Sequence, residues 1–428
     1  MWICLTIAFL TCALMIVCVL TGAEIKKIHL PLYWCVTLAG ALVMLFFGLL
    51  PWNEFADILL RNTAVNPLKI LVLFLSMTML SVFLDETGFF RYLAVVVLKH
   101  AGGSQIKLFV ALYLIVSVLT VFTSNDVIIL TFTPFVCYFC RDAKIDPLPY
   151  LIEEFVAANT FSMMLMIGNP TNIYLSLSAG VSFAAYFSVM WLPTLFGGAA
   201  AFFIMFALFF KTLQKRPEPA VKKVPLHKSL AVVGAVHLVL CTLLLAFSEP
   251  LSLPMWLIAA VFAVCLCVIV FLRSLIKKEY CVELINTLRR TPWNFVPFLL
   301  SMFVIVAALD YNGVTAAFGS ILASFSSIPA YGVLSAFFCN LVNNIPMSVF
   351  FGTVISRANA GVGAVFATII GSNAGAFLTP VGALAGIMWT NILKAQNVKM
   401  SYLKFMKYGF AVAVPTLAAA LFGLWITV

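Results

Sequence analysis

The chain is a series of long apolar runs separated by short polar segments. In the first half the runs cover about 2–20, 31–50, 68–84, 150–177 and 183–210. In the second half they cover about 230–247, 254–272, 295–309, 362–393 and 410–428. Nine of the ten runs have 17 residues or more, enough for an α-helix to cross a bilayer, and the run 295–309 has 15. The pattern predicts an all-α polytopic membrane protein with five spans in each half.

Two further apolar segments, 108–140 and 331–355, are interrupted by polar residues near their centres. The interruptions are Thr123–Asp126 in the first segment and Asn340–Pro346 in the second. Irregular backbone at membrane depth is tolerated only where protein buries it or where it lines an aqueous cavity. Each segment is therefore predicted to be a re-entrant hairpin with a polar tip.

Two of the long runs contain polar, glycine-rich stretches that include a proline, at Ala158–Asn172 and Gly371–Gly382. The stretches correspond to each other, because Asn159 precedes Gly168 by nine residues and Asn373 precedes Gly382 by nine. The pattern predicts two broken helices whose backbone is unwound near the membrane midplane along these stretches.

The repetition extends to the spans that precede the hairpins. Leu75–Met77 is followed by Leu84–Asp85, and Leu300–Met302 is followed by Leu309–Asp310 at the same spacing. Because five spans are an odd number, the second copy must be inverted. Charge supports this, since all but three of the 25 Lys and Arg residues fall on one predicted side. The positive-inside rule places that side in the cytoplasm and both termini outside.

Inverted repeats with broken helices are the architecture of secondary transporters. The predicted organisation has a first repeat at 1–210, a cytoplasmic basic linker at 211–228 and a second, inverted repeat at 229–428. The first repeat comprises scaffold spans at 1–100, a hairpin at 108–140, a broken helix at 148–180 and a span at 183–210. The second comprises scaffold spans at 230–310, a hairpin at 331–355, a broken helix at 362–393 and a span at 403–428.

Composition narrows the class of protein further. Hydrophobic residues make up 64% of the chain and charged residues 9%, and the mean hydropathy is +1.13. The net charge is +10, but the basic residues lie in short loops between the apolar runs, which argues against a nucleic-acid partner. Cys137 and Cys140 form a C-x-x-C pair without a second pair, so neither a metal nor a redox cofactor is expected. The sequence does not indicate an enzyme. The protein is expected to lie in the lipid bilayer of the cytoplasmic (inner) membrane.

The candidate solute site consists of polar residues at the hairpin tips and the predicted breaks. Half-helix N-termini favour anionic or oxygen-rich solutes, and C-terminal carbonyl groups favour cations. Alternatively, the Asn and Thr side chains only form hydrogen bonds with backbone groups that the breaks leave without partners. Solute binding and this structural role both stay open. The candidates are Ser124, Asn125, Asn159, Asn169, Thr171, Asn172, Asn343, Asn344, Ser372, Asn373 and Thr379.

Asp126 is the candidate for coupling transport to an ion, either H⁺ or Na⁺. It lies at the first tip and is followed by the apolar run Val127–Leu130. A carboxylate inside the membrane is costly, which favours a functional role. The alternative is that it caps a helix, although Ser124 or Asn125 could do this alone.

The remaining polar residues have less demanding explanations. Asp85, Glu86 and Asp310 lie at span ends, where a solvated charge is expected, although a role of Asp85 in transport stays open. Glu153–Glu154 are expected to complement the start of a helix. His237 could relay protons or be a core histidine bonded to a neighbour. Cys339, near the second tip, is a candidate ligand for a soft solute.

These motifs resemble the ion transporter superfamily, and within it the arsenite–antimonite efflux permeases. The similar segments are Leu84–Phe90, Ser124–Asp126, Leu130–Pro134, Asn343–Pro346 and Leu378–Trp389. One stretch, Ile167–Asn172, is instead similar to the Gly-x-Pro-x-Asn loop of the sodium–proton antiporters and the dicarboxylate or citrate permeases. The resemblance implies hairpins that enter from opposite faces, a scaffold that dimerises, and a moving part that holds the solute between tips and loops.

The resemblance makes proton-coupled arsenite efflux the expected function. No Lys or Arg lies in either site stretch, and arsenous acid at neutral pH is an uncharged trihydroxide that amides and hydroxyls can bind. A sodium-coupled dicarboxylate or citrate permease and a sodium–proton antiporter are the alternatives. The docking of a soluble ATPase subunit on the cytoplasmic loops is left open.

Overall fold

The computed structural model is almost entirely helical and describes residues 1–21, 23–25, 30–63, 66–100, 103–215, 226–325 and 328–428. One small antiparallel ribbon lies between the first two helices, where β1 (Glu24–Ile25) pairs with β2 (Leu30–Pro31). Its register places Glu24 opposite Pro31 and Ile25 opposite Leu30. Most of the predicted linker, 216–225, lies outside the described residues.

The described residues of the first half form ten α-helices. They are α1 (Trp2–Thr21), α2 (Leu32–Phe46), α3 (Trp52–Leu60), α4 (Pro67–Glu86), α5 (Phe89–His100), α6 (Gln105–Phe122), α7 (Asn125–Asp142), α8 (Leu148–Phe161), α9 (Pro170–Ser178) and α10 (Phe183–Leu213).

The second half also contains ten within the described residues. They are α11 (Lys228–Ala246), α12 (Met255–Lys277), α13 (Val282–Arg290), α14 (Phe295–Tyr311), α15 (Val314–Phe325), α16 (Ile328–Val342), α17 (Asn344–Ala358), α18 (Gly361–Gly375), α19 (Leu384–Ala395) and α20 (Tyr402–Thr427).

Long and short helices follow in the same order in the two halves. The third helix of each half, α3 or α13, has 9 residues, and the fifth, α5 or α15, has 12. Packing between the halves is reciprocal, because α12 packs on α4 while α2 packs on α14. This order agrees with a sequence repeat; the inversion of the second copy stays a prediction.

The short helices α3, α5, α13 and α15 were not predicted. They are too short to cross a bilayer, and a search for long apolar runs passes over them. In α13 the buried residues are Leu284 and Thr287, while Arg289 and Arg290 occupy the last turn. Such one-sided helices connect the spans without extending through the membrane.

Burial separates the helices that face lipid from those at the centre. Within the described residues, eight helical segments are long and apolar enough to cross a membrane. Central helices are buried on all sides: in α8 every residue from Pro149 to Thr160 is buried, and in α18 every residue from Gly363 to Gly375. Polar groups on α8 and α18 are therefore shielded from lipid by the surrounding helices.

Both predicted hairpin tips lie between two helices. The first helix pair is α6 and α7, with Thr123 and Ser124 between them, and the second is α16 and α17, with Asn343 between them. Helix α6 is among the segments long enough to cross a membrane. Re-entry of the two pairs from opposite faces stays a prediction.

Candidate functional site

The first break in a buried helix separates α8 from α9. Helix α8 ends at Phe161, one 3-10 turn covers Met166–Gly168, and α9 begins at Pro170. A side chain at Gly168 is excluded, because its Cβ would lie 2.2 Å from the carbonyl oxygen of Ser162. Proline lacks an N–H, so it fits the first helical position, where no backbone acceptor is available.

The second break separates α18, which ends at Gly375, from α19, which begins at Leu384. Close packing again requires glycine: a Cβ at Gly375 would lie 2.6 Å from Sγ of Cys339, and one at Gly382 would lie 2.7 Å from Oδ1 of Asn340. The broken backbone is thus held against the helix that leads to the second hairpin tip.

Both breaks begin later than the sequence pattern indicated. We expected unwound backbone from the start of each polar stretch, but Asn159 and Asn373 lie in the last turns of α8 and α18. Each amide donates from Nδ2 to the carbonyl oxygen four residues earlier in its own helix, at 2.8 Å in both cases. These bonds keep the last turns helical and fix the direction of the two side chains.

Asn373 is the centre of a buried cluster that joins the two halves. Its Nδ2 donates to Oδ1 of Asn172 at 2.9 Å. Its Oδ1 accepts from Oγ of Ser162 at 3.0 Å and from Nδ2 of Asn169 at 3.2 Å. Since none of these residues is more than 2% exposed, the end of α18 is bound directly to the first break.

Two hydroxyl groups extend this cluster. Thr171 donates to Oδ1 of Asn169 at 3.1 Å, and Ser372 donates to Oγ1 of Thr171 at 3.5 Å. Asn169 also caps α9, because its Oδ1 accepts from the backbone N–H of Thr171. Asn169 therefore both caps α9 and belongs to the amide cluster.

The first hairpin tip joins the same network. Asn125 donates from Nδ2 to Oδ1 of Asn159 at 3.0 Å. Oγ of Ser162 lies 2.8 Å from the backbone carbonyl oxygen of Asn159 and 3.0 Å from Oδ1 of Asn373, and its single proton is shared between these two acceptors. The network thus links this tip to both breaks.

The second hairpin tip contacts the second break. Asn343 donates to the carbonyl oxygen of Val381 at 2.9 Å. Thr379 donates to Oδ1 of Asn340 at 2.6 Å, and Nδ2 of Asn340 donates to the carbonyl oxygen of Gly375 at 2.9 Å. Thr379 therefore belongs to a second group, which meets the first through the last turn of α18.

Sequence reasoning missed Asn340 as a site residue, although it begins the polar tip one helical turn before Asn343 and Asn344. Asn344 is 3% exposed, and its Oδ1 has no hydrogen-bond partner among the described residues. It bonds to neither group of amides.

Asp126 is buried at the first tip and is 8% exposed. Ser124 caps α7 by accepting from the N–H of Val127 at 3.4 Å. The carboxylate of Asp126 makes no hydrogen bond or ion pair within the described part of the chain, and its backbone N–H donates to Oδ1 of Asn125. Capping is therefore provided by Ser124, and the carboxyl group of Asp126 is left for another role.

The two amide groups form an electrically neutral environment. Among the described residues, no Lys or Arg side chain bonds to any of the candidate site residues. Helix α9 begins inside the first cluster, so the partial positive charge of its N-terminus is directed there. The arrangement offers amide and hydroxyl donors and acceptors to a small polar solute.

The expectation that Asp85 is solvated was wrong. Its carboxylate is 1% exposed and accepts from Arg290 at 2.7 Å, and Arg290 also pairs with Glu86. Tertiary packing of α13 on α4 brings this arginine to a carboxylate that the sequence places at a span end. Asp310 remains partly exposed and pairs with Arg357 at 2.9 Å.

The interpretation that Glu153 and Glu154 complement the start of a helix was also wrong. Helix α8 begins at Leu148, so both residues lie beyond its first turn. Both are 0% exposed. They are buried because α6, α7 and α10 pack around α8.

The other candidates lie apart from the amide groups. His237 shares a hydrogen bond with the carbonyl oxygen of Val233, at 2.8 Å from Nδ1, as expected of a core histidine. Cys137 and Cys140 are buried in α7. Cys339 is buried beside the second tip, where its Sγ accepts from Nδ2 of Asn340 at 3.3 Å.

Comparison with known proteins agrees with this architecture. The Arsenical pump membrane protein of Escherichia coli is 28% identical over 367 residues, which cover 81% of this chain and 84% of that protein. The Arsenical pump membrane protein of Yersinia enterocolitica is 29% identical over 377 residues, with the same two coverages of 81% and 84%. The crystal structure of the Alcanivorax borkumensis YdaH transporter has a similar fold, with a TM-score of 0.57 at 13% identity, covering 92% of this chain and 96% of that one.

The family described as citrate transporters, CitMHS, matches residues 16–371, which is most of the chain. The helical membrane fold, the broken helices and the similarity to curated membrane transporters over 81% of the chain all support the same family. The protein therefore belongs to the citrate transporter family of the ion transporter superfamily, and it is a multi-pass membrane transporter rather than an enzyme.

Proposed function

We propose that the protein is a proton-coupled antiporter that exports arsenite and antimonite across the cytoplasmic membrane. The observation that carries the proposal is the neutral, buried set of amides and hydroxyls around Asn373. Arsenous acid is an uncharged trihydroxide at neutral pH, so it can exchange hydrogen bonds with such a set without a basic partner. The curated relatives named arsenical pump membrane proteins support the choice of solute.

Asp126 is the proposed proton carrier. It is the carboxyl group at a hairpin tip, next to Asn125, which bonds to the amide network. A carboxyl group buried without a cation favours its neutral form, so it can bind a proton from outside. Release of that proton to the cytoplasm while solute leaves would couple efflux to the proton gradient.

Substitution Asp126→Asn tests the coupling. The amide keeps the size of the side chain but cannot carry a proton. We expect uphill, pH-driven uptake of arsenite into inverted vesicles to fall to the level of vesicles that lack the protein. Downhill exchange of arsenite should persist, because the amide network is intact.

The control is Asp57→Asn, which removes an exposed carboxylate that pairs with Arg61 on α3. It should leave uphill transport unchanged. Retained accumulation of arsenite by Asp126→Asn, with the pH dependence of the unmodified protein, would exclude Asp126 as the carrier.

A sodium-coupled citrate or dicarboxylate permease is the second candidate. The family description and the Gly168–Asn172 loop favour it, because Pro170 starts a helix whose N-terminus can bind a carboxylate. A sodium–proton antiporter of the same superfamily is a further alternative. Inverted vesicles that are given arsenite, citrate or sodium, each with an imposed pH gradient, distinguish the three by the solute that moves.

Assembly and orientation complete the proposal. We place both termini outside, the 211–228 linker in the cytoplasm, and the scaffold helices in a homodimer interface. Cross-linking in the membrane tests the dimer. Co-purification with a soluble ATPase subunit tests whether such a partner docks on the cytoplasmic loops.

A further inference from the structure

Two adjacent carboxyl groups, Glu153 and Glu154, are buried in the centre of the protein and have no part in the mechanism above. Both are 0% exposed. Glu154 accepts from Oγ1 of Thr133, which lies 2.8 Å from Oε1 and 3.1 Å from Oε2. Neither carboxyl oxygen of Glu153 has a hydrogen-bond partner within the described residues.

A second buried polar group lies beside this pair. The indole N–H of Trp389, on α19, has no hydrogen-bond partner among the residues described, and the ring lies next to Glu154. Trp389 is 0% exposed and packs against Phe155 with ring centroids 5.2 Å apart. Thr133 on α7 thus donates to Glu154, and the unpartnered N–H of Trp389 on α19 lies close to the same carboxyl group.

No cation balances the pair in the part of the chain that the structure describes. Tyr113 and Tyr150 donate their hydroxyls elsewhere, to the carbonyl oxygen of Gly198 and to Oε1 of Gln105. Arg141, at the end of α7, is exposed and donates to the carbonyl oxygen of Gln396. The titratable and charged groups around the pair are Tyr113, Cys137, Cys140, Arg141, Asp146 and Tyr150.

Two ionised carboxylates at consecutive positions of a buried helix, without a cation, cannot both be stable in such a place. Transfer of each charge from water is strongly unfavourable, and the repulsion between neighbours adds to that cost. A bound metal ion would need several more oxygen ligands, whereas Thr133 is the one side chain with an oxygen hydrogen-bonded to the pair in the described residues. Protons are therefore the ligands that match this chemistry.

The position of the pair relates it to the solute site. Glu154 lies five residues before Asn159 on α8, a rise of about 7.5 Å. Helices α7 and α8 are connected by two hydrogen bonds, Asn125–Asn159 at the amide network and Thr133–Glu154 at the carboxyl pair. The pair therefore lies between the amide network and the start of α8, which the predicted topology places toward the cytoplasm.

We propose that Glu153 and Glu154 form a second proton-binding site, which releases one proton to the cytoplasmic side in each transport cycle. In the release step an O–H bond of Glu154 breaks and the proton passes to water. Thr133 and Trp389 then donate to the carboxylate that remains. The protonated site is argued from the structure alone. Its place in the cycle rests on the proposed proton-coupled transport, in which the proton on Asp126 is required and the proton of this site is additional.

Infrared spectroscopy of the purified protein in lipid tests the bound protons directly. At neutral pH we expect an absorption band of protonated carboxyl groups that is diminished in Glu153→Gln and again in Glu154→Gln. The control Glu249→Gln, which changes an exposed carboxylate, should leave the band unchanged. A band of equal size in all four proteins would overturn the proposal.

The number of protons moved per solute tests the role in transport. In proteoliposomes, the reversal potential of pH-driven flux should show one proton fewer per solute in Glu154→Gln, while exchange without a gradient continues. Thr133→Val keeps the carboxyl group but removes a donor to its ionised form, so the pH profile of transport should move to higher pH. An unchanged proton number in Glu154→Gln would overturn the role in transport.

Failure of the proposed transport function would look different. In that case the unmodified protein would show no pH-driven flux of any solute tested, whereas the infrared difference between unmodified protein and Glu154→Gln would persist. If Glu153→Gln does not fold, Glu154→Gln and Thr133→Val still decide the question, because both are close in size to the residues they replace.

Discussion

At the scale of single residues, the site is a set of amides that serve structure and recognition together. Asn373 uses Nδ2 twice and Oδ1 twice, and it bonds to its own helix and to the first break. A solute that enters must replace some of these bonds, since the buried amides cannot be left without partners. The same groups can therefore hold the closed site and bind the solute.

Asn373→Ala should reduce transport by up to about tenfold while the protein remains folded in the membrane. The substitution removes the amide that joins Asn172 and Asn169, so a bound solute loses its central partner, and one lost hydrogen bond costs about 0.5–1.5 kcal/mol, up to roughly tenfold in binding. Transport by purified protein in proteoliposomes gives the rate. The amount of protein that elutes as a single species in detergent gives the folded fraction.

The matched control is Asn391→Ala, an exposed amide on α19. It should transport at the rate of the unmodified protein. Full activity of Asn373→Ala would assign Asn373 to helix capping alone.

At the scale of helices, two ion pairs at equivalent places have different environments. The Asp85 side chain is 0% exposed and pairs with Arg290, whereas Asp310 is 26% exposed and pairs with Arg357, which is 57% exposed. Only in the Asp85–Arg290 pair does the loss of the arginine leave a buried carboxylate without its cation. It fixes α13 to the end of α4, on the side predicted to face the cytoplasm.

Arg290→Met should destabilise the protein by about 3 kcal/mol, because it leaves Asp85 and Glu86 without their cation. Unfolding in detergent, followed by a spectroscopic probe, measures the change. Addition of Asp85→Asn should recover part of the loss. Arg357→Met is the control and should cost about 0–1 kcal/mol, as exposed ion pairs do; equal losses in the two variants would contradict this account.

Close packing of α16 on α18 depends on glycine. A Cβ at Gly371 would lie 2.0 Å from the carbonyl oxygen of Gly332 and 2.1 Å from Oγ of Ser335. Small residues allow such close approach of helices in membranes. The two helices carry the second tip and the second break, so their separation also fixes the site.

Gly371→Ala should therefore prevent normal folding, since neither backbone can move without separating the two helices. Expression as an aggregated or proteolysed protein is the expected observation. Gly319→Ala is the control, because the nearest atom would be 3.6 Å away, and alanine favours a helix by about 1 kcal/mol. Normal yield of Gly371→Ala would show that α16 and α18 can separate freely.

At the scale of the whole molecule, orientation follows from the charges in the loops. The positive-inside rule predicts that the 211–228 linker is in the cytoplasm and that both termini are outside. A reporter enzyme that is active only outside the cytoplasm should be active when fused after Val428. The same reporter inserted near Lys215 should be inactive. The opposite pattern would invert the topology and exchange the faces at which the tips enter.

The sequence predicted much of this molecule correctly because the membrane restricts what it can be. Apolar runs must be helices, since backbone groups in lipid have no other partners, and the helical breaks lie close to Pro170 and Pro380. Family membership followed from short motifs at the tips and breaks. The short helices such as α3 and α13 escaped the pattern, because their apolar faces are only a few residues long.

The tertiary structure decided which polar groups meet. The sequence by itself determined the long apolar helices, their repeated order and the presence of polar breaks, because hydropathy, proline and glycine act locally along the chain. It did not determine that Arg290 reaches Asp85, that Asn340 bonds Thr379, or that Glu153 and Glu154 are enclosed. Those facts depend on which helices pack together, and the burial and partners of a side chain are properties of its neighbours in space rather than in sequence.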